Sequence, residues 1–559
     1  MGWRSSCSAW AAGAVRVLVL ALPLSLGGAG REATASEPEG PPWVGLVGLD
    51  PLDPGHRRAA RVAPLAGLGR LGVITAPVPW ARLEPEPPRE GVRRYRFEEL
   101  DDAFLTWQLA GLDPVLVLTP ENPWAGVARE ESAWARTLHQ ELPAAEVAMA
   151  LREAVGATPP RSDQWSAWAR FVRTVVERYD GDGVDDMPGL RRPVRHVQVL
   201  DRADLPTSWL GSADQYMRLL HAAGIAAHEA HSSVRVVAAT IDVLGLGHAP
   251  HPDVAEWRRR AEASWPVAPR QARLVAERAH DLLAKLLDLP RIYDVLPQRG
   301  AAHLEDDVAN VRYLRRRLDE GGATNAAVWL VGGPEEKLGE PRVPVGTSPD
   351  PVERNRRRLL VRAARDPRHG DHAAALAWLR RGQAYDLVRT VLRSRAAGAD
   401  AVYVASALDA SDAQAAAHAT GCPRRGVVEP EGDGGARTPM WYALRQLVRH
   451  LEGHRSVREQ PAAGAAHLVL LTYPSAPERA WCGVLLADAD ADWAGDGAPG
   501  TAPGVAVTLP DGRYRIETTA LADEAPWGND VRSRQQTLTL PLSAAPLWIL
   551  PIEVESNPR

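Results

Sequence analysis

From Trp43 to Leu451 the chain alternates short apolar runs with longer stretches whose apolar positions recur at helical spacing. Eight short runs stand out: Trp43-Val44-Gly45-Leu46-Val47, Leu71-Gly72-Val73-Ile74, Pro114-Val115-Leu116-Val117-Leu118, Val194-Arg195-His196-Val197-Gln198-Val199, Val234-Arg235-Val236-Val237-Ala238-Ala239, Ile292-Tyr293-Asp294-Val295, Ala327-Val328-Trp329-Leu330-Val331 and Ala401-Val402-Tyr403-Val404-Ala405. Strands separated by helix-length connections pair in parallel, because a parallel neighbour needs a crossover of a dozen or more residues. Eight of them close naturally, so the expected fold class is α/β, a (β/α)8 barrel. Among the intervening helices, Asp214 is a candidate N-cap before Tyr216-Met217-Arg218-Leu219-Leu220, and Asp307 precedes Val308, Val311 and Leu314 at helical spacing.

After the helix around Met440 to Leu451 the pattern turns all-β, with His467-Leu468-Val469-Leu470-Leu471, Gly483-Val484-Leu485-Leu486, Val505-Ala506-Val507-Thr508-Leu509 and Ala545-Pro546-Leu547-Trp548-Ile549-Leu550. Asp511-Gly512, between two such runs, predicts a hairpin turn. A C-terminal antiparallel β-sandwich over 456–559 is expected behind a barrel over 36–455. Residues 1–35 read as a cleaved signal peptide, with Arg4 and Arg16 ahead of the apolar run Val17-Leu18-Val19-Leu20-Ala21-Leu22-Pro23-Leu24 and small residues ending in Ala33-Thr34-Ala35. That run is too short to span a bilayer, and no later segment is long and apolar enough, so an exported protein without a transmembrane segment is expected, whether periplasmic, cell-surface or released.

The 559 residues carry 65 Lys and Arg against 70 Asp and Glu, which leaves no global field for nucleic acid or an anionic membrane. With 19 Trp against 3 Phe, the aromatic content favours flat indole faces of the kind that stack on sugar rings. Of three cysteines, Cys7 leaves with the signal, and Cys422 and Cys482 could pair. No metal-ligand spacing and no cofactor motif is read. His221, His228 and His231 lie near one helix and are expected to face solvent.

Several passages carry a resemblance. Trp80-Ala81-Arg82-Leu83-Glu84-Pro85 and Tyr95-Arg96-Phe97-Glu98-Glu99-Leu100-Asp101 resemble the segment after the second strand of retaining barrel glycosidases. Gly111-Leu112-Asp113-Pro114-Val115-Leu116-Val117-Leu118, running to Asn122-Pro123-Trp124, is similar to their third strand and loop. Glu177-Arg178-Tyr179-Asp180-Gly181-Asp182-Gly183 resembles what precedes their fourth strand, and Pro439-Met440-Trp441-Tyr442-Ala443-Leu444 resembles the helix that ends such barrels. The chain thus resembles glycoside hydrolase family 39 and its relatives over nearly all of residues 36–559.

The resemblance implies an acid/base Glu after an Asn at the end of strand four, and a nucleophilic Glu ending strand seven. Here the first place reads Val199-Leu200-Asp201-Arg202-Ala203-Asp204, with Arg202 for the acid/base, and the second reads Trp329-Leu330-Val331-Gly332-Gly333-Pro334, with Gly332 for the nucleophile. A guanidinium does not give up its proton near neutrality, and glycine has nothing with which to attack. The expectation is a catalytically silent barrel that binds an oligosaccharide or polysaccharide or serves as a scaffold. Trp80, Trp124 and Trp209 would stand around the mouth as platforms, with Glu121, Asn122, Asp201, Arg202, Asp242 and Asp409 lining it. An alternative is an active O-glycosyl hydrolase with relocated acids, Asp201 or Asp204 as the acid and Glu335 as the nucleophile; a second is a cell-surface interaction module. Arg202 could grip a sugar carboxylate, or be tied internally to Asp201 or Asp204.

Overall fold

The computed structural model describes residues 43–243, 269–301, 304–332, 366–408, 426–429, 435–454, 456–462, 466–473, 481–487, 504–523, 528–542 and 545–554, with a few positions between them. Eight strands form the barrel: β1 Val44–Leu49, β2 Leu71–Thr75, β3 Leu112–Thr119, β4 His196–Val199, β5 Arg235–Val237, β6 Val295–Arg299, β7 Ala327–Val331 and β8 Ala401–Leu408. Each pairs in parallel with the next, and β8 returns to pair with β1, so the expected (β/α)8 barrel is present. Around and after it run α1 Glu98–Leu109, α2 Ala133–Glu141, α3 Ala144–Glu153, α4 Trp165–Tyr179, α5 Ala213–Ala230, α6 Pro269–Asp288, α7 Leu304–Glu320, α8 His372–Ala396 and α9 Pro439–Leu451. Among the described residues no helix is long and apolar enough to cross a membrane.

Helix α4 shows why the layers form. Trp168, Phe171, Val172, Val175, Val176 and Tyr179 fall three, four or one residues apart, on one buried face of a 3.6-residue turn. Two local expectations are corrected. The sixth strand begins at Val295 rather than Ile292, because Pro290–Ile292 is a 3-10 turn and the strand continues through polar Gln298 and Arg299. The cap of α5 is Ser212, not Asp214: Ser212 Oγ accepts from Gln215 N, and Gln215 Oε1 accepts from Ser212 N at 2.8 Å, a reciprocal box that satisfies two first-turn amides. Asp307 lies inside α7, where its carboxylate accepts from Ala301 N.

A cluster made only of strand residues, among them Ile74, Val115, Val117, Val237, Val295, Trp329 and Tyr403, marks the barrel lumen. His196 packs beside Trp329 there, with ring centroids 5.0 Å apart. Burial, and then the charges of Arg235 and Arg195, pull His196 down to about 3. The unfolded imidazole titrates near 6.5, so between those values the unfolded chain binds the extra proton; the stabilisation is complete above about pH 6.5 and drains away as pH falls towards 3, by at most about 5 kcal/mol. His196→Leu is expected to flatten the pH dependence of unfolding free energy by one proton across that window. Denaturant titrations at several pH values check this, and an unchanged slope would refute it.

Behind the barrel, a six-stranded sheet contains β9 Ser456–Pro461, β10 Ala466–Thr472, β11 Trp481–Ala487, β13 Gly512–Thr518, β14 Gly528–Ser533 and β16 Leu547–Val554, while β12 Gly504–Thr508 pairs with β15 Thr537–Pro541. One apolar cluster joins the two sheets, with Leu468, Tyr514, Ile516 and Ile549 facing Val505, Val507, Leu538 and Leu540, which makes a sandwich. Asp511-Gly512 is therefore a corner between sheets and not a hairpin. Strand β12 pairs with β15, β13 pairs with β14 and β16, and Asp511 Oδ1 holds Gln536 N at 2.7 Å across the corner.

Candidate functional site

In a (β/α)8 barrel the loops that follow the strands form one face, the mouth. Strand β4 ends in an unusual way: Leu200 has φ +66°, a left-handed conformation seldom taken by a branched side chain. Leu200 N still donates to Leu118 O, and Asp201 O accepts from Thr240 N, so the turn is tied to both neighbouring strands. Asp201, Arg202, Ala203 and Asp204 follow across the mouth. Arg202 is buried, and its Nε and Nη2 donate to Asp204 Oδ1 and Oδ2 at 2.8 and 2.7 Å. The bidentate grip offsets the burial cost of both ions and, with the further charges of Asp242 and Asp201, holds the Arg202 guanidinium well above its usual range. Of the two internal partners considered, Asp204 is the one engaged.

The loop is pinned from outside. Arg278 of α6 sends Nη2 to Trp209 O at 2.8 Å and to Ala203 O at 3.1 Å, and lies over the Trp134 ring at 5.7 Å. Burial pulls Arg278 down to about 10 despite the nearby Asp204 charge. At the end of β6, Arg299 is also lowered, by burial first and then by Arg202, while Asp242, Asp204 and Asp201 oppose the shift. Asp201 is half-buried, and its burial raises it above the ordinary aspartate range against the pull of Arg202 and Arg299. Asp201, Asp204 and Asp242 thus interact with Arg202, Arg278 and Arg299 around this loop. Arg299 and Arg278 are additions that the sequence pattern does not disclose: one hides in the misplaced sixth strand, the other comes from a helix about seventy residues beyond the loop it holds.

At strand seven, Gly332 follows β7 directly, with φ +77° and its N–H donating to Tyr403 O at 2.7 Å. Among the described residues nothing lies within 4 Å of where its Cβ would be. Its backbone is one that L side chains rarely adopt.

The indoles divide. Trp80 and Trp209 are wholly buried, so neither offers a ring face to a ligand, which corrects their expected role as platforms. Trp80 packs on Phe171 and Trp168 of α4 at 5.5 and 6.0 Å, and its Nε1 donates to Glu84 Oε2 at 2.7 Å. The Trp209 ring lies against Gly211, where an added Cβ would come within 2.3 Å of Cζ2, and its backbone N lies 2.4 Å from where a Cβ on Gly156 would be. Trp124 alone of the three is partly exposed, edge-on to Trp80 at 5.0 Å. Buried Glu84 organises this group, its backbone O accepting from Asn122 Nδ2 at 3.0 Å and Trp124 Nε1 at 3.1 Å, and its Oε1 from Arg93. Glu121 is exposed beside it, and Asp242 is half-buried after β5. Glu335, Glu336, Asp409 and Cys422 lie outside the described residues; Cys482 is buried. His221 and His228 are exposed and His231 half-buried.

No known protein family matches the sequence, and none of the curated proteins does. Solved structures do. A family 39 glycoside hydrolase from the gut symbiont Bacteroides cellulosilyticus WH2 superposes with a TM-score of 0.52 at 12% identity, over 91% of this chain and 81% of that one. A family 39 β-xylosidase from Caulobacter crescentus gives 0.50 at 14% identity, over 92% and 96%. The fold is thus that of family 39 glycoside hydrolases, barrel and sandwich together.

Proposed function

We propose that this protein is an exported carbohydrate-binding barrel that no longer hydrolyses glycosides by the two-carboxylate route, with residues 1–35 as its signal, 36–455 as the barrel and 456–559 as the sandwich. The observation that carries the reading is the buried two-pronged pair of Arg202 with Asp204 where the fold family would hold its acid/base. Retaining hydrolysis needs two carboxyl groups about 5 to 5.5 Å apart, one giving a proton and one attacking. Arg202 cannot give one, Asp204 has both oxygens committed, and Gly332 has no side chain. Arg202 is satisfied internally, so a neutral sugar suits the mouth better than a uronic acid. Trp124 offers a partial stacking face, and Glu121, Asp201 and Asp242 offer acceptors for hydroxyl groups.

A second reading keeps an enzyme, with Asp201 as the acid and Glu335 as the nucleophile; the upward shift of Asp201 favours it, because a proton-holding carboxyl is what an acid catalyst requires. A panel of neutral and acidic oligosaccharides, xylose-based ones included because a β-xylosidase shares the fold, separates the readings. Calorimetric binding with no product after long incubation is expected, and Trp124→Ala should weaken it by about 1 kcal/mol or more. Product formation would favour the enzyme, and neither binding nor product would leave a scaffold or cell-surface interaction module.

A further inference from the structure

The turn between α4 and β4 reads Asp180-Gly181-Asp182-Gly183-Val184-Asp185-Asp186. Because it leads from a helix into a strand, it lies on the face of the barrel opposite the mouth, away from Asp201 and Arg202. One carboxylate oxygen from each of Asp180, Asp182 and Asp186 lies within 4.8 Å of the others. Asp180 is 2% exposed; its Oδ1 accepts from Asp182 N, but its Oδ2 is buried with no donor. A buried anionic oxygen left unpaired is costly, and native proteins rarely leave one so. Among the described residues no Lys or Arg forms an ion pair with any of the three. Arg178 reaches only the backbone oxygen of Asp186, at 3.5 Å, and its charge is spent on Asp101, with Nη2 to Oδ2 at 2.6 Å.

We propose that this turn is a calcium site, built from Asp180, Asp182 and Asp186. All three donors are hard carboxylate oxygens with no His or Cys, a set that suits calcium or magnesium and not zinc or copper. Two oxygens on one calcium ion, each about 2.3 to 2.6 Å away, can be up to about 5 Å apart, whereas magnesium closes that span to about 4.2 Å. The backbone brings the carboxylates together: Gly181 and Gly183 have φ +77° and +95°, and their amides hold Asp186 Oδ1 and Oδ2 at 2.9 and 2.7 Å. A site on this face contributes to stability and takes no part in sugar binding, so it stands apart from the carbohydrate reading.

The test uses the full chain, freed of metal with EDTA and dialysed. Titration with calcium chloride in a calorimeter is expected to show one ion bound per chain. The thermal midpoint should rise by roughly 2–3 °C once calcium exceeds its dissociation constant about a hundredfold. Asp182→Asn, at an exposed side chain, should weaken binding at least about tenfold, and Asp186→Asn likewise, while Asp185→Asn should leave it unchanged. Absence of binding and of any midpoint shift up to about 10 mM calcium would overturn the assignment, as would wild-type affinity in Asp182→Asn. Magnesium chloride binding as tightly as calcium would overturn the choice of ion. If Asp186→Asn does not fold, Asp182→Asn still decides.

Discussion

Arg202→Met is expected to destabilise the protein by about 3–5 kcal/mol, because it strands the Asp204 carboxylate in a site where both of its oxygens now rest on one guanidinium. Arg278 does not replace that guanidinium, since its own donors go to the backbone oxygens of Ala203 and Trp209. The double variant Arg202→Met with Asp204→Leu should recover most of the loss, because a buried ion pair exchanged for apolar groups of similar volume is often neutral. A double-mutant cycle by chemical denaturation reads the coupling directly. Arg202→Glu, which writes the residue of the resemblance back into the chain, should fare worse than Met and yield no turnover, since it packs another carboxylate against Asp201 and Asp204. If Arg202→Met falls within about 1 kcal/mol of wild type, the pair is not what holds this turn.

The second large effect lies in the lumen. Tyr403 of β8 fills the space left by Gly45 of β1 and Gly72 of β2, and a Cβ on Gly45 would stand 2.2 Å from Tyr403 Cδ1 and 2.7 Å from the backbone oxygen of Gly72. Neither a ring locked in a closed barrel nor a strand carbonyl can yield, so Gly45→Ala is expected to cost about 3 kcal/mol or more, the upper end for overpacking. Tyr403→Leu alone opens a void and should also cost, by up to about 3 kcal/mol. Together the two should cost less than their sum, because the ring's part of the clash is removed while that with the Gly72 carbonyl stays. Strict additivity would show that the ring is not what excludes a side chain at Gly45.

Much of the fold is legible in the sequence because parallel strands buried on both faces leave continuous apolar runs, and seven of the eight runs coincide with strands. The sixth slips because its strand carries Pro297, Gln298 and Arg299, which break the apolar signal, and Arg299 escapes notice with it. The site is less legible. A tryptophan placed after a strand carries no sign of which way it turns; Trp80 is drawn inward by Phe171 and Trp168, and Trp209 packs edge-on to Tyr216 with its Nε1 donating to Ser212 O. Arg202 and Asp204, two residues apart, are visible as a potential pair, whereas the hold of Arg278 on their loop is a long-range contact that no local pattern announces. Likewise the spacing of Asp180, Asp182 and Asp186 is plain in the sequence, but the burial that leaves Asp180 Oδ2 without a donor is not.

With a guanidinium and a bare backbone proposed to hold the two places where hydrolysis would be performed, the purified wild-type chain is expected to leave activated aryl glycosides intact. Release of the aryl group should not exceed that in buffer alone. Release well above that background, lost on Asp201→Asn in a variant that still folds, would contradict it.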